Sequence, residues 1–126
     1  RAMTVLLSIK PEFADKIFDG TKKYEYRKSI FKREGVRRIV VYASSPVRKV
    51  VGEFMIEDIL SDDVEAIWGK TAVASGISKS FFQAYFENRE RAYAIKIGRV
   101  TKYKKARELG DYNLSTAPQS FVYLKE

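Results

Sequence analysis

With 126 residues, 45% of them hydrophobic, the chain is long enough for one packed core and too short for two. It contains no cysteine and no histidine, which excludes disulfides, thiolate nucleophiles, Cys/His zinc sites and the usual neutral-pH general base, so any catalysis must rest on Lys, Asp, Glu, Tyr, Ser or Thr. A net charge of +8, from 24 basic and 16 acidic residues, favours polyanions and phosphorylated ligands over cationic ones.

Arg1-Ala2 ahead of Met3 reads as a cloning remnant, so a single domain is taken as residues 3–126. Residues 4–9 form a short apolar run of strand formers, stopped at Lys10-Pro11. Pro11 suits the first turn of a helix, where its missing N–H is not needed. Phe13, Ala14, Ile17 and Phe18 recur at helical spacing, and Gly20 supplies the C-terminal stop. The segment that follows, Gly20-Thr-Lys-Lys-Tyr-Glu-Tyr-Arg-Lys28, is the most informative of the chain. When extended, it sets Tyr24 and Tyr26 on one face and Lys23, Glu25 and Arg27 on the other. One face can then join the core while the other carries chemistry, the plain alternative being a solvated strand with a surface ion pair.

Residues 29–37 read as a polar connection containing Gly35, and 38–43 as a buried strand broken by Ser44-Ser45-Pro46. Residues 47–60 are β-rich, with Gly52 marking a bulge or bend. Ser61-Asp62-Asp63 caps a short helix over 64–70 that carries Trp68. Residues 72–76 are small and weakly patterned, hence a loop, and Ser78 caps a second helix over 79–86 whose Phe81, Phe82, Tyr85 and Phe86 read mostly as core. Residues 91–97 alternate as a strand that 98–105 continues or turns. A helical turn over 107–112, ended by Gly110, precedes a final strand at 119–124. These elements predict an α+β domain: a small, partly closed, mixed or antiparallel β-barrel with short helices packed at its sides. No apolar run approaches the roughly 20 residues of a membrane span and no signal-peptide pattern opens the chain, so a cytoplasmic location is expected. No cluster of acids flanked by glycine suggests a metal, and no cofactor is expected.

The basic excess is uneven. Residues 1–50 hold 13 basic and 5 acidic residues, whereas residues 51–100 hold 6 and 8. The positive potential therefore concentrates in the half that contains the Gly20 to Lys28 motif.

Ser8-Ile-Lys-Pro11, Phe13 to Phe18, Gly20-Thr-Lys22, Glu25-Tyr-Arg27, Val40-Val-Tyr-Ala-Ser-Ser-Pro46, Val50-Val-Gly-Glu-Phe54 and the late Ala-Pro-Gln-Ser-Phe121 together resemble the ASCH superfamily. The resemblance covers almost the full chain and implies a PUA-like β-barrel. It also implies RNA binding in transcription coregulation, RNA processing or translation regulation. Some small bacterial members are amidohydrolases of N(4)-acetylcytidine, thought to use a Lys, a Thr three residues later and a distant Glu. This chain keeps the lysine as Lys22, but has Glu25 in place of the threonine and no carboxylate over 74–78, where the distant acid is sought.

Lys22 can contact a phosphate or, when desolvated, act as base or nucleophile. Arg27 can hold a phosphate or base edge, or orient Glu25 through a bidentate pair. Glu25 can accept from a nucleobase amine or position a water. Lys10, Ser44 and Ser45 are further ligand candidates, and Trp68 is a candidate for stacking a base. The expectation is an RNA or modified-nucleoside binding module with a basic cleft. The alternatives are a small hydrolase of an acylated nucleoside, with Lys22 and Glu25 catalytic, and a protein-interaction domain.

Overall fold

The opening apolar run forms β1 (Met3–Ile9), and Pro11, whose fixed φ suits a first helical turn, opens α1 (Pro11–Asp19). The motif strand is shorter than the sequence suggests: only β2 (Tyr24–Arg27) is regular. β3 (Val36–Ala43) and β4 (Lys49–Asp63) follow. β4 runs straight into the cap of α2 (Val64–Thr71), where the Asp63 carboxylate accepts from the Ala66 N–H at 2.8 Å. A 3-10 turn, Ala72–Ala74, leads to α3 (Lys79–Tyr85), capped by Ser78. β5 (Arg91–Arg107) continues through Gly98 without turning. The turn Leu109–Tyr112 is ended by Asn113 at φ 61° rather than by Gly110, and β6 (Phe121–Leu124) closes the fold. A computed structural model describes residues 3–125, so the reading of Arg1-Ala2 as a remnant lies outside the described residues. No helix among them is long and apolar enough to cross a membrane.

The six strands form one mixed sheet in the order β2-β5-β4-β3-β1-β6, with β1 and β3 parallel and the other neighbours antiparallel. The expected partly closed barrel is corrected here, because no ladder joins the edge strands β2 and β6. Each is four residues long, and side chains bridge the gap instead. Arg27 Nη2 donates to Ser120 Oγ at 2.7 Å. The Lys32 and Arg33 N–H groups donate to the Tyr123 hydroxyl. Phe31 packs edge-on against Phe121 at 5.6 Å.

β1 and β3 are buried on both faces, which explains their continuous apolar runs. Val5, Leu7, Ile39 and Val41 meet Ala14 and Ile17 of α1 on one side. Leu6, Val40 and Tyr42 lie beneath Tyr103, Leu109, Tyr112 and Leu114 on the other. A further core gathers Tyr26, Ile67, Phe82, Phe86, Ala92 and Ala94 under α2 and α3.

Gly52 sits at an irregularity in the β4–β5 register, as its place in a β-rich run suggests. The ring of Phe18 fills the space a side chain would take: a Cβ at Gly52 would lie 2.5 Å from Phe18 Cζ and 2.6 Å from the Thr101 carbonyl oxygen. Gly52→Ala is expected to destabilise the domain by about 1–3 kcal/mol through overpacking, read as a lower midpoint in urea with an unchanged slope.

Candidate functional site

The end of β1, the start of α1, β2, the β3–β4 loop and the segment ahead of β6 converge on a cavity of about 550 Å³, within the size range of ligand sites. Lys10, Lys22, Glu25, Arg27, Ser44 and Ser45 all line it. Trp68 does not: it packs on Phe82 in the α2–α3 core with ring centroids 4.8 Å apart.

Lys22 owes its position to the end of α1. The Thr21 and Lys22 N–H groups both donate to the Lys16 carbonyl, at 3.1 and 3.0 Å, turning the chain back under the 72–77 turn. Lys22 is only 2% exposed. Its Nζ donates to the Ser75 carbonyl at 2.8 Å and lies 4.9 Å from the Tyr26 ring centroid and 5.2 Å from that of Phe13. Burial lowers its pKa to about 8, the Glu25 carboxylate opposing that shift and Lys16 adding to it. Lys16 Nζ in turn donates to the Gly76 carbonyl at 3.0 Å, so two ammonium groups hold two consecutive carbonyls. Gly76, at φ 70°, packs directly on Lys22: a Cβ there would stand 2.6 Å from Lys22 Cβ.

The Glu25 and Arg27 side chains share one strand face, as the alternation predicts. Their contact is one bond, Nη1 to Oε2 at 3.1 Å, not the bidentate pair that is one of the alternatives for Arg27. The guanidinium is spread over other partners, the Ser8 carbonyl at 3.4 Å and Ser120 Oγ at 2.7 Å. Glu25 Oε1 has no hydrogen-bond partner among the described residues and Glu25 lines the cavity. The Ser44 N–H donates to the Ile9 carbonyl at 2.9 Å, docking the serine loop on the end of β1.

Three parts of the wall lie outside the site residues read from the sequence. Phe81 and Tyr85, which their aromatic cluster assigns to the core, line the cavity; Phe81 is 37% exposed, with Lys10 Nζ 5.6 Å from its ring centroid. Burial pushes the Tyr85 hydroxyl up from its ordinary pKa. Arg48 and residues 117–119 also line it, the latter fixed to β1 by the Ser8 hydroxyl, which donates to the Pro118 carbonyl at 2.7 Å. The i, i+4 spacing of Phe81 and Tyr85, set against Phe82 and Phe86, is the signal that marks two aromatic faces of α3 rather than one.

The family model of the ASCH domain matches residues 7–110. The large ribosomal subunit protein uL22 of Ureaplasma parvum serovar 3 is 34% identical over 122 residues, which is 97% of this chain and 39% of that protein. The chain thus spans about two fifths of that relative's length. A protein named ASCH domain-containing ribonuclease, from Zymomonas mobilis, is 35% identical over 90 residues, 71% of this chain and 61% of the relative. The crystal structure of ASCH from Zymomonas mobilis superposes with a TM-score of 0.86 at 28% identity, covering 98% of this chain and 88% of that one.

The lowered Lys22 pKa has a stability consequence of definite sign. Between about 8 and 10.5 the unfolded chain holds a proton that the folded lysine has lost, so the wild type gains stability as pH rises through that window. Relative to Lys22→Met the gain is at most about 3 kcal/mol. It is measured as the difference between the two proteins' urea midpoints across the window. A constant difference would mean an unshifted amine.

Proposed function

The chain belongs to the ASCH domain family, and from that premise we propose that it is an RNA-binding domain whose cavity takes one unpaired nucleotide of a single strand. The observation that carries this reading is the make-up of one cavity, in which exposed cations, aromatic faces and a buried carboxylate meet. Phe81 and Tyr85 offer faces on which a base can stack, worth about 1–3 kcal/mol. Glu25 Oε1 can accept from an exocyclic amine or ring N–H. Lys10 and Arg48, exposed at the rim, suit the flanking phosphates.

Binding is tested by fluorescence anisotropy with a labelled single-stranded oligoribonucleotide and its duplex. The single strand is expected to bind more tightly. Lys10→Ala with Arg48→Ala is expected to flatten the salt dependence by about 0.7 in log–log slope for each phosphate that is no longer neutralised. Absence of any retention of single-stranded RNA at low ionic strength removes the reading.

The relative named a ribonuclease, together with an amine of pKa about 8 in the cavity, favours a second reading in which bound RNA is also cut. Neutral Lys22 takes the proton of a 2′-hydroxyl, whose oxygen attacks the adjacent phosphorus. The bond from phosphorus to O5′ breaks, leaving a 2′,3′-cyclic phosphate and, once O5′ is protonated, a 5′-hydroxyl. Arg27 and Arg48 are the cations placed to offset charge on the non-bridging oxygens. Cleavage is then expected to rise with pH toward about 8 and to fall at least about 100-fold in Lys22→Ala. Unchanged cleavage in that variant ends the role of Lys22.

The amidohydrolase alternative is less well supported. The 72–77 turn does lie over Lys22, but it presents the Ser75 carbonyl at 2.8 Å and no carboxylate.

A further inference from the structure

β5 pairs with β2 only from Tyr93 to Lys96, and the Ile97 N–H reaches the Lys23 carbonyl just beyond. Further along, β4 is its one ladder partner among the described residues, and that ladder is broken in an unusual way. Gly52 pairs with Lys102 and Val50 with Arg107, so Val51 alone stands opposite the four residues from Tyr103 to Ala106. An ordinary bulge sets two residues against one. Here three surplus residues are carried on β5 between its pairings with Gly52 and Val50.

The base of this bulge is fastened. The Tyr103 hydroxyl donates to Glu53 Oε1 at 2.8 Å, its ring lies 3.8 Å from the Arg107 guanidinium carbon, and Arg107 Nη1 donates to the Tyr112 hydroxyl at 3.0 Å. Lys102, Lys104 and Lys105 are exposed, and none is in an ion pair among the described residues. The run from Thr101 to Arg107 contains no acid. Elsewhere, Lys49, Lys70 and Lys96 each meet a carboxylate. The bulge is therefore a fixed platform whose three lysines, with Asp111 as a carboxylate in the same concavity, keep a net positive charge.

Its position relates it to the cavity. Arg107 pairs with Val50, two residues beyond the cavity residue Arg48. The foot of the bulge therefore lies at the same end of β4 as the turn that brings Arg48 to the cavity. We propose that the Lys102 to Arg107 bulge is a second RNA-contacting surface, on which the phosphates flanking the nucleotide in the cavity lie. This proposal rests on the RNA-binding reading above and extends it from a single-nucleotide pocket to a continuous track for a single strand.

The test compares wild type, a triple variant (Lys102→Ala, Lys104→Ala, Lys105→Ala) and the corresponding triple Lys→Arg variant. Each is titrated with a nucleoside monophosphate and with a single-stranded ten-nucleotide RNA over a range of salt. The alanine variant is expected to bind the monophosphate as wild type does and the ten-mer about tenfold more weakly at low salt. Its log–log salt slope should be flatter by about 2, because about three phosphates are no longer neutralised. The arginine variant is expected to keep the wild-type slope. Equal ten-mer affinity and slope in wild type and alanine variant, especially with new self-association of the latter, would overturn the proposal and leave the lysines as guards of an unpaired edge. That outcome leaves the pocket reading standing. Failure of the wild type to bind either ligand removes both.

Discussion

The Arg27 guanidinium is the contact on which the site depends. The two edge strands do not pair with each other, and Arg27 spans the space between them. It reaches from β2 to the Ser8 carbonyl on β1 and to Ser120 at the foot of β6, while holding Glu25 on its own strand. A ladder in that place would have filled the gap with backbone. A single forked side chain, whose planar donors match several acceptors at fixed angles, links the two edges and leaves the gap between them as a cavity. The same contact makes it possible to bury Glu25, since a desolvated carboxylate without a partner costs several kcal/mol. Lysine could not hold three acceptors in this geometry.

Lys22 is the opposite case, a charge buried without a close carboxylate partner. Its compensation is one carbonyl and two aromatic faces, and its lowered pKa measures how incomplete that is. Burying an amine in this way serves no packing purpose that a methionine would not serve better. A group perturbed by burial in a cleft is a candidate for function. The 72–77 turn is built to keep it there: Gly76 admits close contact, and Lys16 holds the next carbonyl so that the turn cannot lift.

Most elements were legible because each had its own local chemistry: Pro11 and Gly20 around α1, Asp63 and Ser78 as caps, Gly52 at an irregular register. The lysine, glutamate and arginine of the motif were legible too, because alternation on a short strand puts Glu25 and Arg27 on one face. What stayed hidden works through the backbone. The 72–77 turn acts with carbonyl groups, which any sequence supplies, so its small residues read as unpatterned. Closure of the sheet was misjudged for a related reason: strand count suggests a barrel, but whether the edges pair depends on edge length and on the partners of Arg27. Trp68 packs in the core and Phe81 lines the cavity: α3 has aromatics on two sides, and only packing against Ile67, Ala92 and Ala94 decides which side is core.

The charge distribution acquires a direction once the strands are in place. The far end of the β4–β5 ladder carries a cluster of acids, and there Lys70 and Lys96 pair with Asp62 and Glu57. The near end carries Lys10, Arg48 and the bulge lysines, none of them in an ion pair among the described residues. Paired charges cancel within a Debye length of about 8–10 Å, whereas unpaired ones add. The domain therefore presents a positive end and a nearly neutral one, although its total charge would suggest a uniformly basic surface. On the proposed RNA-binding reading, a polyanion is drawn to the end where the cavity opens before any specific contact forms, and a flexible single strand then bends one base inward while its phosphates remain on the rim.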